Sequence, residues 1–330
     1  MLNERSNMRP ATSMLSRVLL PSSLAAATAG TPAPDLVVAF LPPGGDLPAR
    51  LAALAATWPE ALLLGCEASI QFADGRLETA GCLQLHTFER PGTRVWMDVV
   101  QAAGETELPP EPELARLAAR LRAADASFLI ADGLRFPIQP FLSALRGPLG
   151  RPVPPIAGAL ASQELPIASL GARVFAGTRI YPAACLAVGF EGVRMEVEIV
   201  RGWDPASPVF TVTHAAGNTV YAIDDEPATA WYHRYFTADG VLAPLPESAW
   251  RFPLIIDGPD PARHGLYRSM QSFDAERQAV TYWGDVVTGD QVRLGIGNDA
   301  SLARAAATCQ GSAPAQAAVL YSCVGREIVL

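Results

Sequence analysis

The side chains best suited to chemistry in this sequence are two cysteines, Cys66 and Cys323, and two arginines, Arg268 and Arg326. Cys66 closes an apolar run at residues 61–64 after a glycine, and Cys323 follows a second run at residues 317–321, with Arg326 three positions on. The ends of buried strands are where α/β folds present their ligands. A guanidinium beside a thiol lowers its pKa and favours the thiolate. The pair Cys323 and Arg326 therefore reads as a reactive or ligand-binding couple, or else as a small core cysteine next to an ion-paired arginine. Cys66 carries the same two readings. Arg268 lies in a strand-like segment with Tyr267, Met270 and Phe273. Its planar fork suits a carboxylate-bearing ligand, and an ion pair with Asp285 or Asp257 would serve a buried arginine equally well.

Other constellations point away from catalysis. The five cysteines are an odd number without a CxxC pair, which fits reduced thiols better than a disulfide framework or a zinc site. The histidines, His86, His214, His233 and His264, form no HxH or HxxxH pair. Asp224, Asp225 and Glu226 precede Pro227 and read as a turn and helix N-cap in preference to a cation site. GxSxG, HExxH and phosphate-loop patterns are missing, and Gly295-Ile296-Gly297 lacks the third glycine of a dinucleotide fingerprint. The expectation is a chain that is not an enzyme and holds no metal.

The elements that must position these residues follow from periodicity. An apolar run at residues 36–40, a cap at Asp46 with Pro48 in the first helical turn, and a stripe of Leu51, Leu54, Ala55 and Trp58 lead to the run at 61–64. The same strand–helix–strand order recurs at residues 127–131, 140–145 and 153–159. A third copy is expected as a strand at 291–296, a helix capped by Asn298 or Asp299 and reaching Cys309, and a strand at 317–321. Strand-like segments at 83–88, 94–99, 187–200, 267–273 and 279–283, and a helix over 112–123, fill the intervals. The fold class expected is α/β, with two related subdomains of mixed sheets flanked by helices, the second incomplete. The organisation expected is a flexible tail at 1–32, a first domain at 33–205 and a second at 206–330.

Bulk properties narrow the partners. Half the residues are hydrophobic and 18% are charged, enough to bury a large core. A net charge of −8 without a basic stripe argues against nucleic acid. No run of about 18 apolar residues free of charge and proline is found, so membrane insertion is not expected. Pro21, Ser22 and Ser23 interrupt the apolar residues after Arg17, so the N-terminus does not read as a cleaved signal and the setting expected is cytoplasmic.

Two segments resemble a known family. Val212-Thr213-His214-Ala215-Ala216-Gly217-Asn218, followed by Val220 to Ile223, Pro227-Ala228 and Tyr235-Phe236, is similar to the pattern VT-x-A-x-G-N … PA … Y. Tyr321-Ser322-Cys323-Val324-Gly325-Arg326 is similar to F-S-C-x-G-R. Both are hallmarks of FIST (F-box and intracellular signal transduction) sensory domains. The resemblance runs from about residue 33 to the end. It implies a bacterial small-molecule sensor for an amino-acid-like metabolite or other small ligand. The partners it implies are a histidine kinase, a diguanylate cyclase or phosphodiesterase, or a chemotaxis receptor. Two departures stand out: Glu67-Ala68-Ser69-Ile70 replaces the usual S-T-A-G-E-I after Gly65-Cys66, and the second domain reads as truncated after the SCxGR segment. Cys66, Arg268, Cys323, Arg326 and His214 are the ligand-binding residues expected. No cofactor is required. A haem-bearing subset of the family, linked to nitric oxide sensing, supplies one alternative, with His214 inside the VTxAxGN stretch the histidine of most interest. A cysteine-dependent enzyme supplies the other.

Overall fold

The computed structural model of the chain describes residues 15–19, 33–68, 71–73, 76–78, 81–88, 92–104, 107–150, 152–161, 173–260, 263–308, 315–323 and 325–326. Two compact units compose it, Met1–Val197 with Gly311–Tyr321, and Glu198–Gln310 with Ser322–Leu330.

In chain order the first unit runs β1 (Leu15–Leu19), β2 (Leu36–Leu41), α1 (Leu47–Thr57), β3 (Leu62–Glu67), the short hairpin β4 (Gln71–Ala73) and β5 (Arg76–Glu78), then β6 (Cys82–Thr87) and β7 (Arg94–Gln101). It continues with α2 (Glu111–Ala123), β8 (Ala126–Asp132), α3 (Ile138–Leu149), β9 (Ile156–Ala161), β10 (Val174–Ala176), β11 (Arg179–Tyr181) and β12 (Ala184–Glu191). A six-stranded sheet has the order β1-β6-β2-β3-β10-β11, and a four-stranded sheet the order β7-β12-β8-β9. Each holds one parallel pair, β2 with β3 and β8 with β9, because a helix carries the chain back to the starting edge in both cases. Asp46 caps α1 by accepting from the Ala49 amide at 3.0 Å, and Pro48 sits in its first turn.

Alternation along the strands divides the apolar residues between two faces. Leu36, Val38, Leu64 and Cys66 of the first sheet share a core with Phe128, Ile130, Leu186 and Val188 of the second. On the outer face of the first sheet, Val37, Ala39 and Leu63 pack with Leu47, Leu51 and Leu54 of α1. On the outer face of the second, Leu129, Ala131 and Cys185 pack with Leu117 and Leu121 of α2 and Phe141 and Leu145 of α3. The unit is thus a helix–sheet–sheet–helix stack. Gly65 stands opposite Ala39 and Gly158 opposite Leu129 in the two parallel pairs. A Cβ at these positions would fall 1.8 Å from the Ala39 carbonyl oxygen and 2.3 Å from that of Leu129. Both strand–helix–strand passes of the first unit therefore use the same glycine at the same place.

The second unit runs β13 (Trp203–Pro205), β14 (Phe210–Ala216), β15 (Thr219–Ile223), β16 (Glu226–Pro227), α4 (Ala228–Phe236), the hairpin β17 (Thr237–Ala238) and β18 (Val241–Leu242), and β19 (Leu254–Ile256). After these come β20 (Tyr267–Arg268), β21 (Met270–Asp274), β22 (Ala279–Tyr282), β23 (Gln291–Gly297) and α5 (Asp299–Ala307). Its nine-stranded sheet follows β20-β19-β23-β14-β15-β22-β21, with β13 also on β23 and β16 on β15. Trp231 and Tyr232 of α4 are buried against Val220, Val280 and Tyr282 of this sheet, and the phenols of Tyr232 and Tyr282 share a hydrogen bond of 2.9 Å.

The mixed α/β class is the one expected, with five corrections. The sheet of the second unit is antiparallel at each pairing, not mixed. Its expected strand–helix–strand copy stops at the helix: Asn298 caps α5 as anticipated, but residues 315–323 form no strand. The reason is occupancy. β23 is flanked by β13 and β14 on one side and by β19 on the other, so no slot beside it remains. Residues 193–200 hold no strand either, and β12 ends at Glu191. Finally, the expected tail contains β1, which pairs antiparallel with β6; the remainder of residues 1–32 lies outside the described residues. Asp224 and Asp225 do form the turn expected of them, both at positive φ, but the N-cap of α4 is Pro227, with no side-chain cap.

Candidate functional site

An open hollow of about 330 Å³ in the second unit is lined by Arg201, Trp203, Asp204, Tyr267, Ser301 and Arg304, among others. Three elements build it. β13 carries Trp203 and lies antiparallel on the end of β23, with Trp203 opposite Gly297. The indole rests on that glycine, where a Cβ would come 2.7 Å from Trp203 Nε1. This accounts for the second glycine of Gly295-Ile296-Gly297, and Gly295 makes room for Ile255 in the same way. The indole N–H is buried and meets no acceptor among the described residues, so packing fixes the ring plane. β20 supplies Tyr267, whose hydroxyl donates to the Trp203 carbonyl at 3.0 Å and whose ring stands 5.8 Å from the indole at 53°.

The helix α5 forms the third wall. Ser301 is buried, completes the capping box with Asn298, and donates through Oγ to the Gly202 carbonyl at 2.7 Å. That bond ties the helix carrying Arg304 to the strand carrying Trp203. Arg304 stands 3.9 Å from Asp204, both largely in solvent. Burial pushes the Tyr267 phenol upward in pKa; Arg201 and Arg326 pull it back, and Asp204 adds to the rise.

The expected site residues distribute as follows. Arg326 does not line the hollow but lies beside its Trp203: its guanidinium is 5.8 Å from the Trp203 ring centroid and donates to the Val200 carbonyl at 2.9 Å. Cys323 is exposed beside it, with its sulfur accepting from the Gly325 amide at 3.4 Å. Neither stands at the end of a strand. Arg268 follows Tyr267 directly, so the two side chains leave opposite faces of β20. Its three nitrogens donate to Asp285 O, Tyr267 O and Asp285 Oδ1 at 2.9, 3.1 and 2.8 Å, which realises the ion-pair alternative. Asp285 is shared with Arg263, which also makes a fork onto Asp290 at 2.8 and 2.6 Å. Burial alone would raise the Asp285 pKa, but hydrogen bonds and charge from Arg263 and Arg268 hold it below the usual range. His214 is exposed on β14 and stacks on Tyr221 at 4.9 Å.

Cys66 belongs to the first unit, where it is buried in the core between the sheets. Burial, then the charge of Glu67 and the neighbouring Cys82, push its thiol up to about 12, the reverse of an activated nucleophile. Glu67, which replaces the serine of the family pattern, is fully buried and gripped by Arg173 through Nε at 2.7 Å and Nη2 at 2.5 Å. The departure in sequence thus creates a buried ion pair. His86 is buried in β6, and its Nδ1 meets no hydrogen-bond partner among the described residues.

The histidines do not fit a haem. An axial ligand must face an apolar pocket, whereas His214, His233 and His264 are exposed and His86 is enclosed within the sheet core. Among the described residues no group of three or more His, Cys, Asp or Glu side chains could hold a metal, and no helix is long and apolar enough to cross a membrane. The signal that would have found Trp203 is indirect: a glycine inside a strand, Gly297, marks the close approach of another group.

Two mixed α/β units, one of them with an aromatic and cationic hollow beside a C-terminal motif, define the chain as a two-domain module. The FIST N domain family matches residues 35–226, and the FIST C domain family matches residues 228–330. The chain belongs to the FIST family, whose domains are sensory domains of signal transduction. The family boundary falls at β16, while the compact units divide at residue 197, because β13 to β16 belong to the sheet of the second unit. No curated protein matches the chain.

Proposed function

We propose that the chain is the sensing module of a bacterial signalling system, and that its second unit takes up a small carboxylate-bearing metabolite, amino-acid-like compounds included. The binding place is the hollow between Trp203, Tyr267, Arg201 and Arg304. The observation that carries this reading is the convergence of aromatic rings and guanidinium groups on one opening, next to the contact of Arg326 with Trp203. Small-ligand sites combine apolar walls with a few fixed polar groups in this manner. Of the residues singled out in the sequence, Arg326 supports the Trp203 wall and Cys323 flanks it. Arg268 acts from the other face by holding Asp285, while His214 and Cys66 stand apart from the hollow in this proposal.

The mechanism is a population shift: a ligand that prefers one arrangement of the module biases a partner by that difference in affinity. The partner is a histidine kinase, a cyclase or phosphodiesterase of cyclic dinucleotides, or a chemotaxis receptor, and the setting is the cytoplasm. A thermal-shift screen of carboxylate metabolites tests the reading, since a ligand of the native state raises the melting temperature by mass action. A shift given by the whole chain and lost in Trp203→Leu and Arg304→Ala supports it. Shifts indifferent to both substitutions, or none across the screen, would overturn it.

A further inference from the structure

We infer that the hollow selects an aromatic carboxylate, a flat ring bearing a carboxylate and no ammonium group. This rests on the ligand-sensing reading above and narrows its carboxylate class at the same site, leaving amino acids, which carry an ammonium group, outside it.

Four observations lead there. The large apolar surfaces of the lining are those of Trp203 and Tyr267, with the smaller Ala305 beside them and no leucine, isoleucine, valine or methionine among the described residues that line it. A wall of this kind rewards a ring, through offset or edge-on stacking at centroid separations of about 4.5–7 Å, more than it rewards a branched aliphatic chain. The Trp203 and Tyr267 rings are themselves splayed at 53° and 5.8 Å, and fixed by a hydrogen bond between the two residues and by Gly297 beneath the indole. The rings therefore meet a ligand already in place, which reduces the ordering cost of binding.

Charge decides the polar end. Arg201 and Arg304 face one acidic residue, Asp204, which stands near Arg304. Arg326 adds another cation at the Trp203 ring. The local balance is positive, and two guanidinium forks match a carboxylate. An ammonium group would have to compete with Arg304 for Asp204 in open solvent, where such a contact contributes little. Size agrees: a hollow of about 330 Å³ is at the small end for ligand sites, suited to a single or fused ring with its carboxylate.

Titration calorimetry on the full chain tests this with four probes: benzoate, indole-3-carboxylate, cyclohexanecarboxylate and benzylamine. The two aromatic carboxylates are expected to bind about tenfold more tightly than cyclohexanecarboxylate, with no heat from benzylamine. Arg304→Ala, on an exposed helix face, and Arg201→Ala are each expected to weaken benzoate about tenfold without changing the melting temperature of the free protein. Trp203→Leu removes the aromatic preference. Equal affinity for benzoate and cyclohexanecarboxylate, or binding of benzylamine, overturns the aromatic-carboxylate class and leaves the sensing site standing. So does silence from all four probes if a metabolite from the thermal-shift screen still depends on Arg304. Benzoate binding unaffected by the arginine substitutions overturns the class and the site together.

Discussion

The Trp203 indole lies against Gly297, its partner across the ladder of β13 and β23, so closely that a methyl group at residue 297 would meet Nε1 at 2.7 Å. Gly297→Ala should therefore push the indole out of place. We expect a loss of about 1–3 kcal/mol in stability, as for other overpacked sites, and a clear loss of benzoate affinity by calorimetry. Gly295→Ala meets the flexible end of Ile255 at 3.0 Å instead and should leave binding nearly intact.

Arg268 separates a structural from a ligand-binding arginine. Its nitrogens are engaged by Asp285 and Tyr267, and a lysine cannot reproduce that fork. Arg268→Lys should lower the urea midpoint, by about 1–3 kcal/mol in stability, with benzoate affinity within about twofold of the parent. Lost affinity at unchanged stability would assign Arg268 to the ligand.

The Glu67–Arg173 pair predicts an asymmetry. Glu67 is fully buried, while Arg173 is 38% exposed in its side chain. Removing the arginine strands a buried carboxylate, and removing the carboxylate leaves a cation that reaches water. Arg173→Met should cost about 3 kcal/mol or more in chemical denaturation, and Glu67→Gln distinctly less.

His86 sets an acid limit. Burial lowers its pKa from 6.5 to about 4. The folded state thus resists protonation that the unfolded chain accepts. The contribution of neutral His86 to stability is complete above pH 6.5, declines as the pH falls below that value, and is lost once the pH passes about 4. The full effect is about 3 kcal/mol. Urea midpoints measured between pH 7 and 4.5 should fall more steeply for the parent than for His86→Leu.

Thiol accessibility distinguishes the cysteines. Cys323 is exposed, while Cys66 and Cys185 are buried, and burial raises the pKa of both buried thiols. Iodoacetamide should label Cys323 in the native protein and reach Cys66 and Cys185 only after unfolding, as read by peptide mass mapping. Native labelling of Cys66 would reopen the cysteine-nucleophile alternative.

Local signals in the sequence carried far where the chain is locally determined. The Asp46 cap, the leucine stripe of α1 and both parallel passes of the first unit follow from spacing alone. The missing strand at 317–321 illustrates the limit: its apolar residues suit a strand, but whether a place beside β23 is vacant depends on β13, β14 and β19, a fact of topology and not of local pattern. The site shows the same division. The SCxGR motif points to Arg326, which rests beside Trp203, whereas Arg201, Trp203, Tyr267 and Arg304 of the proposed site come from three separated segments whose meeting no spacing announces.

Gly65 and Gly158 set the gap between neighbouring strands in the two halves of the first unit. Each works as a spacer, closed even to alanine because a carbonyl occupies the place of the methyl. The glycine in the Gly65-Cys66 pair, which looks like a landmark of chemistry, is thus a carpenter's mark for joinery. Anyone remodelling this scaffold should hold those two positions fixed.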